Sequence, residues 1–555
     1  MLTIPIMSPE TDKSRKMFLD DLKACGADRV LICNCEFFKE EKERENILAE
    51  IKKNIEFYTN EGLEPGIWTN TLGWGDPRGD DFKNKFSDAT RITAFNGNTC
   101  TAVCVLDKDF LQYMEKNMED YAKTGTRLIL LDDDLVLSVR PGFTCSCDLH
   151  IKEFSRRTGR KWTRKQIQDL FTGEPSEYRT VWMDLTGESI INYCKRLRAA
   201  VDRVDPTIRM GLCASYTHYD LDGFDIKEIV NILAGEGNKP YLRLSGAAYW
   251  PYVAPRFPGM TISGVMEFVR MQTAWLENTD IELLDENDSY PRTSDVVPAD
   301  SIEIYDKAML TQTRVNRLKY ILHYGQNKEG DTAFLNEHLN NLSDNEKISE
   351  FFKYKEPVGW RVFCAEKKIR TAVLPEIYKG DLSFMPDHTM PYAGILAAVN
   401  GIPTKYSGNG PTLVYGEDAR YLPNELKNNT IVADRIAASI LAEKNIPCTM
   451  IDLDFSEVDF SEAPDIFETL KEIYPNLPMA SKGIYILASE NKSNDEMAIL
   501  LINDKREDIE SIDVFVDGKY AITNKINCSV KTENDHITLD KISALDFAAI
   551  LLKKN

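Results

Sequence analysis

The sequence predicts an α/β protein with an N-terminal (β/α)8 TIM barrel, a smaller α/β domain after it and a C-terminal β-sandwich. Three observations support this prediction. Short β-rich runs alternate with amphipathic stretches up to about residue 340, a polar stretch then interrupts the pattern, and the last part of the chain has short strands separated by Asn, Asp and Gly. The expected domains are residues 1–345, 346–478 and 479–555.

Eight candidate strands make up the predicted barrel. They are residues 2–7, 29–34, 64–69, 127–132, 209–214, 241–244, 280–285 and 319–323. Helical patterns at 13–26 and 40–61 connect the first three, and Gly62 is placed to end the second helix. Eight strands joined by helices favour a closed barrel, and a doubly wound open sheet is the rival.

Weaker patterns organise the rest of the chain. Residues 371–374 and 448–451 are candidate strands of the smaller α/β domain, and 431–444 is a candidate helix. Runs at 483–487, 497–502, 512–516 and 547–552 have the near-regular spacing of a β-sandwich.

Composition excludes several classes of protein. The net charge of -21 argues against a nucleic-acid partner, since phosphate binding needs concentrated Lys and Arg. No apolar run approaches the length of a membrane span, and the N-terminus lacks the pattern of a secretion signal. Twelve cysteines spread irregularly along the chain are typical of reduced, buried thiols, so we expect a cytoplasmic protein with a small ligand.

Polar and aromatic residues follow the predicted strands, where barrel enzymes carry their chemistry. The candidate substrate-binding residues at these strand ends are Asn34, Glu36, Trp74, Asp132, Tyr249, Trp250, Asp288, Arg292 and His323. Aromatic rings stack on the C–H faces of sugars, which gives Trp74, Tyr249 and Trp250 a function in carbohydrate binding. The alternative is that one or more of these rings belongs to the core of the barrel rim.

Acidic clusters end the fourth and seventh strands, on opposite sides of the barrel. The first is Asp132, Asp133 and Asp134, and the second contains Glu286 with Asp285 and Asp288 on either side. Glycoside cleavage needs one carboxylic acid to protonate the leaving oxygen and one carboxylate to attack or to activate water. The clusters therefore predict a glycoside hydrolase, with Arg140 and Arg292 as candidate cationic partners.

Other interpretations of the acidic residues stay open at this level. Carboxylates at strand ends cap helices or face water in many proteins, and three adjacent Asp residues are also suited to Mg²⁺ or Ca²⁺. Their occurrence on opposing strands together with neighbouring aromatics favours the glycosidase interpretation.

The three-part layout resembles the family 42 glycoside hydrolases. The segments that carry the resemblance are Cys145-Ser-Cys147-Asp-Leu-His150 with the helix to Gly159, the stretch at 182–185, and the long helical stretch at 193–206 that ends in Val-Asp-Pro. The resemblance implies a β-galactosidase-like enzyme with a barrel, a flavodoxin-like domain that mediates assembly into a dimer or trimer, and a small β domain.

The resemblance also implies site roles. Asp134 stands where the family has its acid/base Glu, Asp133 where it has a sugar-binding Asn, and Glu286 matches the nucleophile. The expected reaction is retaining hydrolysis of terminal β-glycosides, without a catalytic cofactor. A glycosidase of another sugar specificity, an inverting enzyme and a non-catalytic carbohydrate-binding barrel are the alternatives.

A structural zinc site is implied at the cysteine-rich turn. Cys145 and Cys147 match family ligands, His150 stands in place of a third cysteine, and Cys100 is the first choice for the fourth ligand, with Cys104 as the alternative. Thiolates and an imidazole suit tetrahedral zinc, and reduced cysteines without metal are the other interpretation.

Overall fold

The fold is described from a computed structural model. It describes residues 1–34, 38, 40–73, 86–138, 142–253, 261–373, 390–454, 458–493, 495–516, 518, 520–533 and 536–554.

Eight parallel strands close into a barrel, as predicted. Each strand pairs with its neighbours in the chain, and the first pairs with the last. The strands are β1 Leu2–Met7, β2 Arg29–Asn34, β3 Glu64–Thr69, β4 Leu128–Leu131, β5 Arg209–Cys213, β6 Tyr241–Ala247, β7 Glu282–Glu286 and β8 Val315–Leu318. The closed order excludes the doubly wound sheet.

The eighth strand differs from its predicted position. Residues 319–323 were expected to form it, but the strand that pairs with β7 and β1 is Val315–Leu318. The apolar residues Tyr320, Ile321 and Leu322 are buried beyond the end of this strand. Their burial makes them look like a strand in sequence, although Tyr320 packs with the interior residues of the barrel and Ile321 and Leu322 pack in the core outside it.

Eight helices surround the barrel, one after each strand. They are α1 Asp12–Ala24, α2 Glu41–Asn60, α3 Lys108–Ala122, α4 Glu177–Asp202, α5 Ile226–Ala234, α6 Ile262–Trp275, α7 Ala299–Met309 and α8 Ala333–Phe352. Shorter helices lie in the connections at Asp148–Thr158, Arg164–Asp169, Tyr219–Asp222 and Trp250–Val253, and small hairpins pair Arg91–Thr93 with Thr99–Val103 and His323–Tyr324 with Gly330–Asp331. None of the described helices is both long and apolar enough to cross a membrane.

The predicted boundary at residue 345 falls inside α8. The polar residues that suggested a linker, among them Ser343, Asp344 and Lys347, lie on a face of this helix that is not buried. The opposite face buries Phe334, Ile348 and other residues at helical spacing. A polar helix face therefore looked like a domain boundary.

The barrel floor is closed by a ring of charges. Arg29 binds Glu282 at 2.9 Å and Glu64 at 2.8 Å, and Arg209 binds the other oxygen of Glu282 at 2.7 Å. The ring of Tyr241 lies beside both guanidinium groups. Its centre is 5.0 Å from that of Arg29 and 5.0 Å from that of Arg209. The acidic clusters lie at the opposite, C-terminal end, where Asp133 is 16% and Tyr290 is 49% exposed, and this is called the open end of the barrel.

A five-stranded parallel sheet forms the middle of the chain. In spatial order its strands are Thr404–Lys405, Trp360–Phe363, Thr412–Val414, Ile431–Ala433 and Thr449–Met450. Its α-helices are Tyr392–Val399, Arg435–Glu443 and Phe467–Ile473, with 3-10 turns at Gly416–Tyr421, Asn424–Leu426 and Phe460–Glu462. The predicted helix at 431–444 is divided in the structure. Residues 431–433 form a strand, and the helix begins only after Asp434, which caps it by accepting from Ala437 N. Residues 371–373 form no strand, and Leu374 lies outside the described residues.

Two antiparallel sheets form the C-terminal part. The five-stranded sheet contains Glu356–Val358, Tyr485–Asn491, Glu496–Asn503, Asp546–Lys554 and Tyr520–Ile526, and the four-stranded sheet contains Met479–Ala480, Ile509–Phe515, His536–Ile542 and Val530–Glu533. Apolar residues from both sheets share one core, including Ile499 and Ile550 from the first and Val514 and Leu539 from the second.

Candidate active site

One buried arginine joins the two acidic clusters at the open end of the barrel. Arg243 on β6 donates from Nη2 to Asp133 Oδ2 at 3.0 Å, and its Nη1 pairs with Glu286 Oε2. Asp133 follows β4 and Glu286 ends β7, so the guanidinium bridges carboxylates from opposite sides of the barrel. The structure therefore brings together two of the three predicted catalytic residues, Asp133 and Glu286.

The residues at the strand ends do not include Arg243, because it lies within a strand. In β6 the side chain of Tyr241 faces the barrel interior and those of Leu242 and Leu244 face the helices. Arg243 alternates with the leucines and so also faces the interior, where it is 1% exposed. A single charged residue between leucines of a barrel strand is the sequence signal that could have revealed it.

The second partner of Glu286 is a backbone amide. Gly246 N donates to Glu286 Oε2 at 3.1 Å, so both donors bind the same oxygen. Burial raises the pKa of Glu286 to about 8, with further contributions from Asp133 and Asp288, while Arg243 opposes the shift. Burial thus favours the protonated form of Glu286, whereas Asp133 is more exposed, at 16% against 6%.

Asp134 points to a neighbouring loop. Its carboxylate accepts from Thr71 N at 2.8 Å, Thr71 Oγ1 at 2.6 Å and Gly73 N at 2.7 Å, and it is fully buried. Three donors on one carboxylate fix the loop after β3. The geometry places Asp133, and not Asp134, opposite Glu286.

The other acids of the two clusters are also buried. Asp132 accepts from Asp133 N at 2.9 Å, and burial together with the neighbouring Asp133 and Asp134 raises its pKa. Asp285 accepts from Leu318 N at 2.5 Å on the outer side of β7, where burial raises its pKa. Asp285 therefore links two barrel strands on the side away from the pocket.

Asp288 and Arg292 on the loop after β7 and His323 after β8 form one connected group. Asp288 accepts from Ser289 N at 2.7 Å and lies 3.4 Å from Arg292 Nε, and this carboxylate raises the pKa of Arg292. His323 Nε2 lies 2.6 Å from Ser289 Oγ and 2.7 Å from Tyr320 O, and burial lowers its pKa to about 4. A neutral His323 thus supports the loop that presents Asp288.

Aromatic side chains line the rim after β5, β6 and β7. Trp250, predicted to stack on sugar, is only 3% exposed and packs against Tyr216 and Phe268. It belongs to the rim core, because rings on either side cover it. Tyr249 is partly exposed beside the half-exposed Tyr290, with ring centres 5.7 Å apart, and burial together with the charge of Glu286 raises its pKa. Tyr216 and Tyr290 were not predicted.

The remaining candidates follow β2, β3 and β4. Asn34 donates to the hydroxyl of Tyr121 at 2.6 Å, and Thr69 Oγ1 lies 3.2 Å from the same hydroxyl. This contact ties the end of β2 to α3. Glu36, Trp74 and Arg140 lie outside the described residues.

A second cluster combines three thiols and one imidazole. The ligand atoms of Cys104, Cys145, Cys147 and His150 all lie within 4.8 Å of one another and are buried. His150 Nδ1 lies 3.5 Å from the sulfur of Cys104 and 3.4 Å from that of Cys147, and those sulfurs are 3.6 Å apart. Tetrahedral zinc bonds of about 2.0 to 2.3 Å require ligand separations of roughly 3.5 to 3.8 Å. The cluster fits this metal.

The first choice for the fourth ligand, Cys100, is not part of this cluster. Its sulfur faces the carbonyl of Ile92 at 4.0 Å, and Cys104 occupies the position instead. Along the strand Thr99–Val103 Cys100 faces away, whereas Cys104 follows its end. The other ring nitrogen of His150 lies 3.3 Å from Ser189 Oγ, which orients Nδ1 towards the sulfurs.

Comparisons with known proteins identify the fold. No protein-family model matches the chain, and no curated protein matches its sequence. Among solved structures, Gan42B, a GH42 β-galactosidase, is similar with a TM-score of 0.62 and 9% identity, covering 100% of this chain and 98% of that one.

Two further structures have similar full-length matches. A β-galactosidase from the psychrophilic Marinomonas ef1 has a TM-score of 0.61 at 8% identity and covers 100% of both chains. The α-L-fucosidase isoenzyme 2 from Paenibacillus thiaminolyticus has a TM-score of 0.60 at 9% identity and covers 100% of this chain and 99% of its own. These comparisons confirm, at the level of the fold, that the chain is a distant structural relative of the GH42 β-galactosidases.

Proposed function

We propose that the protein is a glycoside hydrolase whose catalytic carboxyl groups are Asp133 and Glu286. The observation that carries the proposal is the Arg243 bridge, because it places one carboxylate from β4 and one from β7 on a single guanidinium at the open end of the barrel. Two carboxyl groups facing one pocket are the chemical requirement for cleaving a glycosidic bond.

The environments of the two groups assign their roles. Glu286 is the more buried and holds a proton, so it is the general acid that protonates the leaving oxygen. Both donors bind Oε2, and no hydrogen bond to Oε1 is found within the described residues, so Oε1 is the oxygen that carries the proton. This assignment reverses the roles that the family resemblance implies.

Asp133 is then the nucleophile of a retaining reaction. Its carboxylate attacks the anomeric carbon while the bond to the leaving oxygen breaks and Glu286 donates its proton to that oxygen. In the second step Glu286, now ionised, takes a proton from water, and the water oxygen displaces Asp133. Arg243 holds Asp133 Oδ2 at 3.0 Å and so orients the carboxylate before it attacks and after water has released it.

The proposed substrate is a terminal, uncharged β-glycoside of the galactoside type. Two of the structural relatives are β-galactosidases, and the pocket is rich in acidic groups that disfavour anionic sugars. The test is a panel of aryl β-galactosides, β-glucosides and α-L-fucosides, the last because one relative is an α-L-fucosidase.

The panel separates the proposal from its alternatives. Turnover with the β-galactoside and a β-configured first product, observed by NMR, support the proposal. An α-configured first product from a β-glycoside identifies an inverting enzyme. No turnover, together with a sugar-dependent rise in melting temperature, identifies a binding protein.

We propose a structural zinc ion on Cys104, Cys145, Cys147 and His150. The contacts of Cys147 with the other thiols and with His150 lower its pKa, and a thiolate is the form that binds zinc. A site closed by four protein ligands has no open position for substrate, so the metal would stabilise the loop between β4 and α4.

Metal content tests the zinc site. Purified wild-type protein is expected to contain about one zinc per chain, because four ligands fill the tetrahedral coordination sphere. Cys104→Ser is expected to lose the metal and to melt several degrees lower, as measured by elemental analysis and calorimetry. Cys100→Ser is the matched control and should keep both. Wild-type protein without stoichiometric zinc would contradict the site.

Assembly and location are extensions of the same proposal. We propose that the middle region is flavodoxin-like and joins two or three copies of the chain, as the family resemblance implies, and light scattering of the intact protein measures the subunit number. A cytoplasmic location agrees with free thiols at the eleven cysteines that the structure describes.

A further inference from the structure

An interruption in β6 lies directly beside Glu286. The pairing of β6 with β7 shifts register between Arg243 and Ala247, and Ala247 pairs with Glu286. Gly246 within the interruption has a φ of 137°, and a Cβ atom there would lie 2.7 Å from Val269 Cγ2. This β-bulge therefore requires glycine, and it places the Gly246 amide, outside the strand pairing, beside Glu286.

A buried glutamine replaces the missing strand partner. Gln272 on α6 accepts from Ser245 N at 3.2 Å and donates from Nε2 to Ser245 O at 2.7 Å and to Phe268 O at 3.1 Å. It is only 2% exposed. Its amide thus binds both backbone groups of Ser245, as a neighbouring strand would.

The bond from Gln272 acts on the same peptide group that faces Glu286. The carbonyl of Ser245 and the N–H of Gly246 belong to one planar peptide unit. Gln272 donates to the Ser245 oxygen of this unit, and the Gly246 N–H of the same unit donates to Glu286 Oε2 at 3.1 Å. Hydrogen bonds in such a chain orient and polarise one another.

A tyrosine holds the next peptide group. Tyr305 on α7 is fully buried and donates from its hydroxyl to Gly246 O at 2.7 Å. Gly246 is therefore held on both sides, by Gln272 through Ser245 and by Tyr305 directly. Ser245 Oγ in turn accepts from Tyr216 N at 2.9 Å, which connects the bulge to an aromatic residue of the rim.

We propose that Gln272 and Tyr305 are positioning residues that hold the bulge so that the Gly246 amide binds Glu286. This inference rests on the proposed function, because it concerns the acid of that reaction. Neither residue contacts substrate. Their effect is on the geometry and the proton affinity of Glu286.

Several charged or titratable groups face Glu286. They are Arg243 from β6, Asp133 after β4, Asp288 after β7, Tyr249 after β6, Tyr305 on α7 and Tyr320 after β8. A donor to the carboxylate favours its ionised form, as Arg243 also does. Loosening the Gly246 bond therefore raises the pKa of Glu286, and the alkaline limb of the activity profile moves to higher pH.

The pH dependence of Gln272→Met tests the inference. Methionine keeps the length of the side chain but can neither donate nor accept these bonds. We expect kcat/KM at neutral pH to fall about tenfold, and the alkaline limb to rise by roughly half to one pH unit. Tyr305→Phe should move the limb in the same direction by less, because it removes one bond to the bulge.

Controls separate positioning from general destabilisation. Gln168→Met makes the same change at a buried glutamine on the helix Arg164–Asp169, and the limb should stay in place. If both bulge variants fold and lose activity with an unmoved limb, the positioning role is wrong. If Gln272→Met does not fold, Tyr305→Phe alone decides. An inactive wild-type enzyme refutes the proposed function instead.

Discussion

Glu286→Gln should lose about 10²- to 10⁴-fold in turnover of glycosides with poor leaving groups, because it removes the proton donor. In aryl glycosides with acidic phenols the phenolate leaves without protonation. The first step of their hydrolysis should therefore be much less affected. The amide is nearly isosteric with the protonated acid and keeps the contact with Gly246 N. The fold is therefore expected to remain intact, and kinetics over a series of leaving groups measures the effect.

The pH profile gives a second measurement on the same variant. An acid must be protonated to act, so wild-type activity should fall as pH rises through about 8, the raised pKa of Glu286. In Glu286→Gln this alkaline limb should disappear for activated substrates. A uniform loss across all leaving groups would instead assign Glu286 as the nucleophile, as the family resemblance implies.

Asp133→Ala should lose turnover by on the order of 10⁴-fold or more for every leaving group, since no covalent intermediate can form. Removing the side chain opens space beside Arg243, and a small anion can occupy it. With an activated β-glycoside, azide is expected to restore turnover and to yield a glycosyl azide of inverted configuration. Kinetics with and without azide, and NMR of the product, measure both effects.

Asp134→Ala is the matched control for this prediction. It removes the same group one residue away, where the carboxylate binds Thr71 and Gly73. We expect a lower melting temperature, because buried donors lose their acceptor, while kcat stays within about tenfold of wild type. If Asp134→Ala abolishes turnover and Asp133→Ala does not, the roles belong to Asp134 as the resemblance implies.

The barrel was predictable from sequence because its strands and helices differ in period. Seven strands lie within a few residues of their predicted positions. The eighth was displaced because buried residues beyond its end, such as Tyr320, are as apolar as a strand. An apolar run in the sequence indicates that residues are buried. In this barrel residues are buried both within strands and beyond their ends, so such a run does not by itself locate a strand.

The site was predicted less completely than the fold. Strand ends pointed to the two acidic clusters, but they could not rank Asp133 and Asp134, since adjacent residues after a strand can turn in different directions. The strand ends do not indicate Arg243 and Gln272, because these residues lie inside a strand and a helix. Nothing in the spacing of Cys100 and Cys104 shows which thiol faces His150. The sequence therefore could not identify Cys104 as the member of the cluster.

By itself, the sequence determined the order of strands and helices in the barrel, favoured a closed barrel over an open sheet and indicated the opposition of acidic residues at the ends of β4 and β7. These features depend on local periodicity and on the chain order of a barrel. The tertiary structure alone decided which carboxylate meets Arg243, which thiol joins the cluster and which amide faces Glu286. Each of these depends on contacts between residues far apart in the chain, and side-chain direction at such contacts has no signature in local sequence.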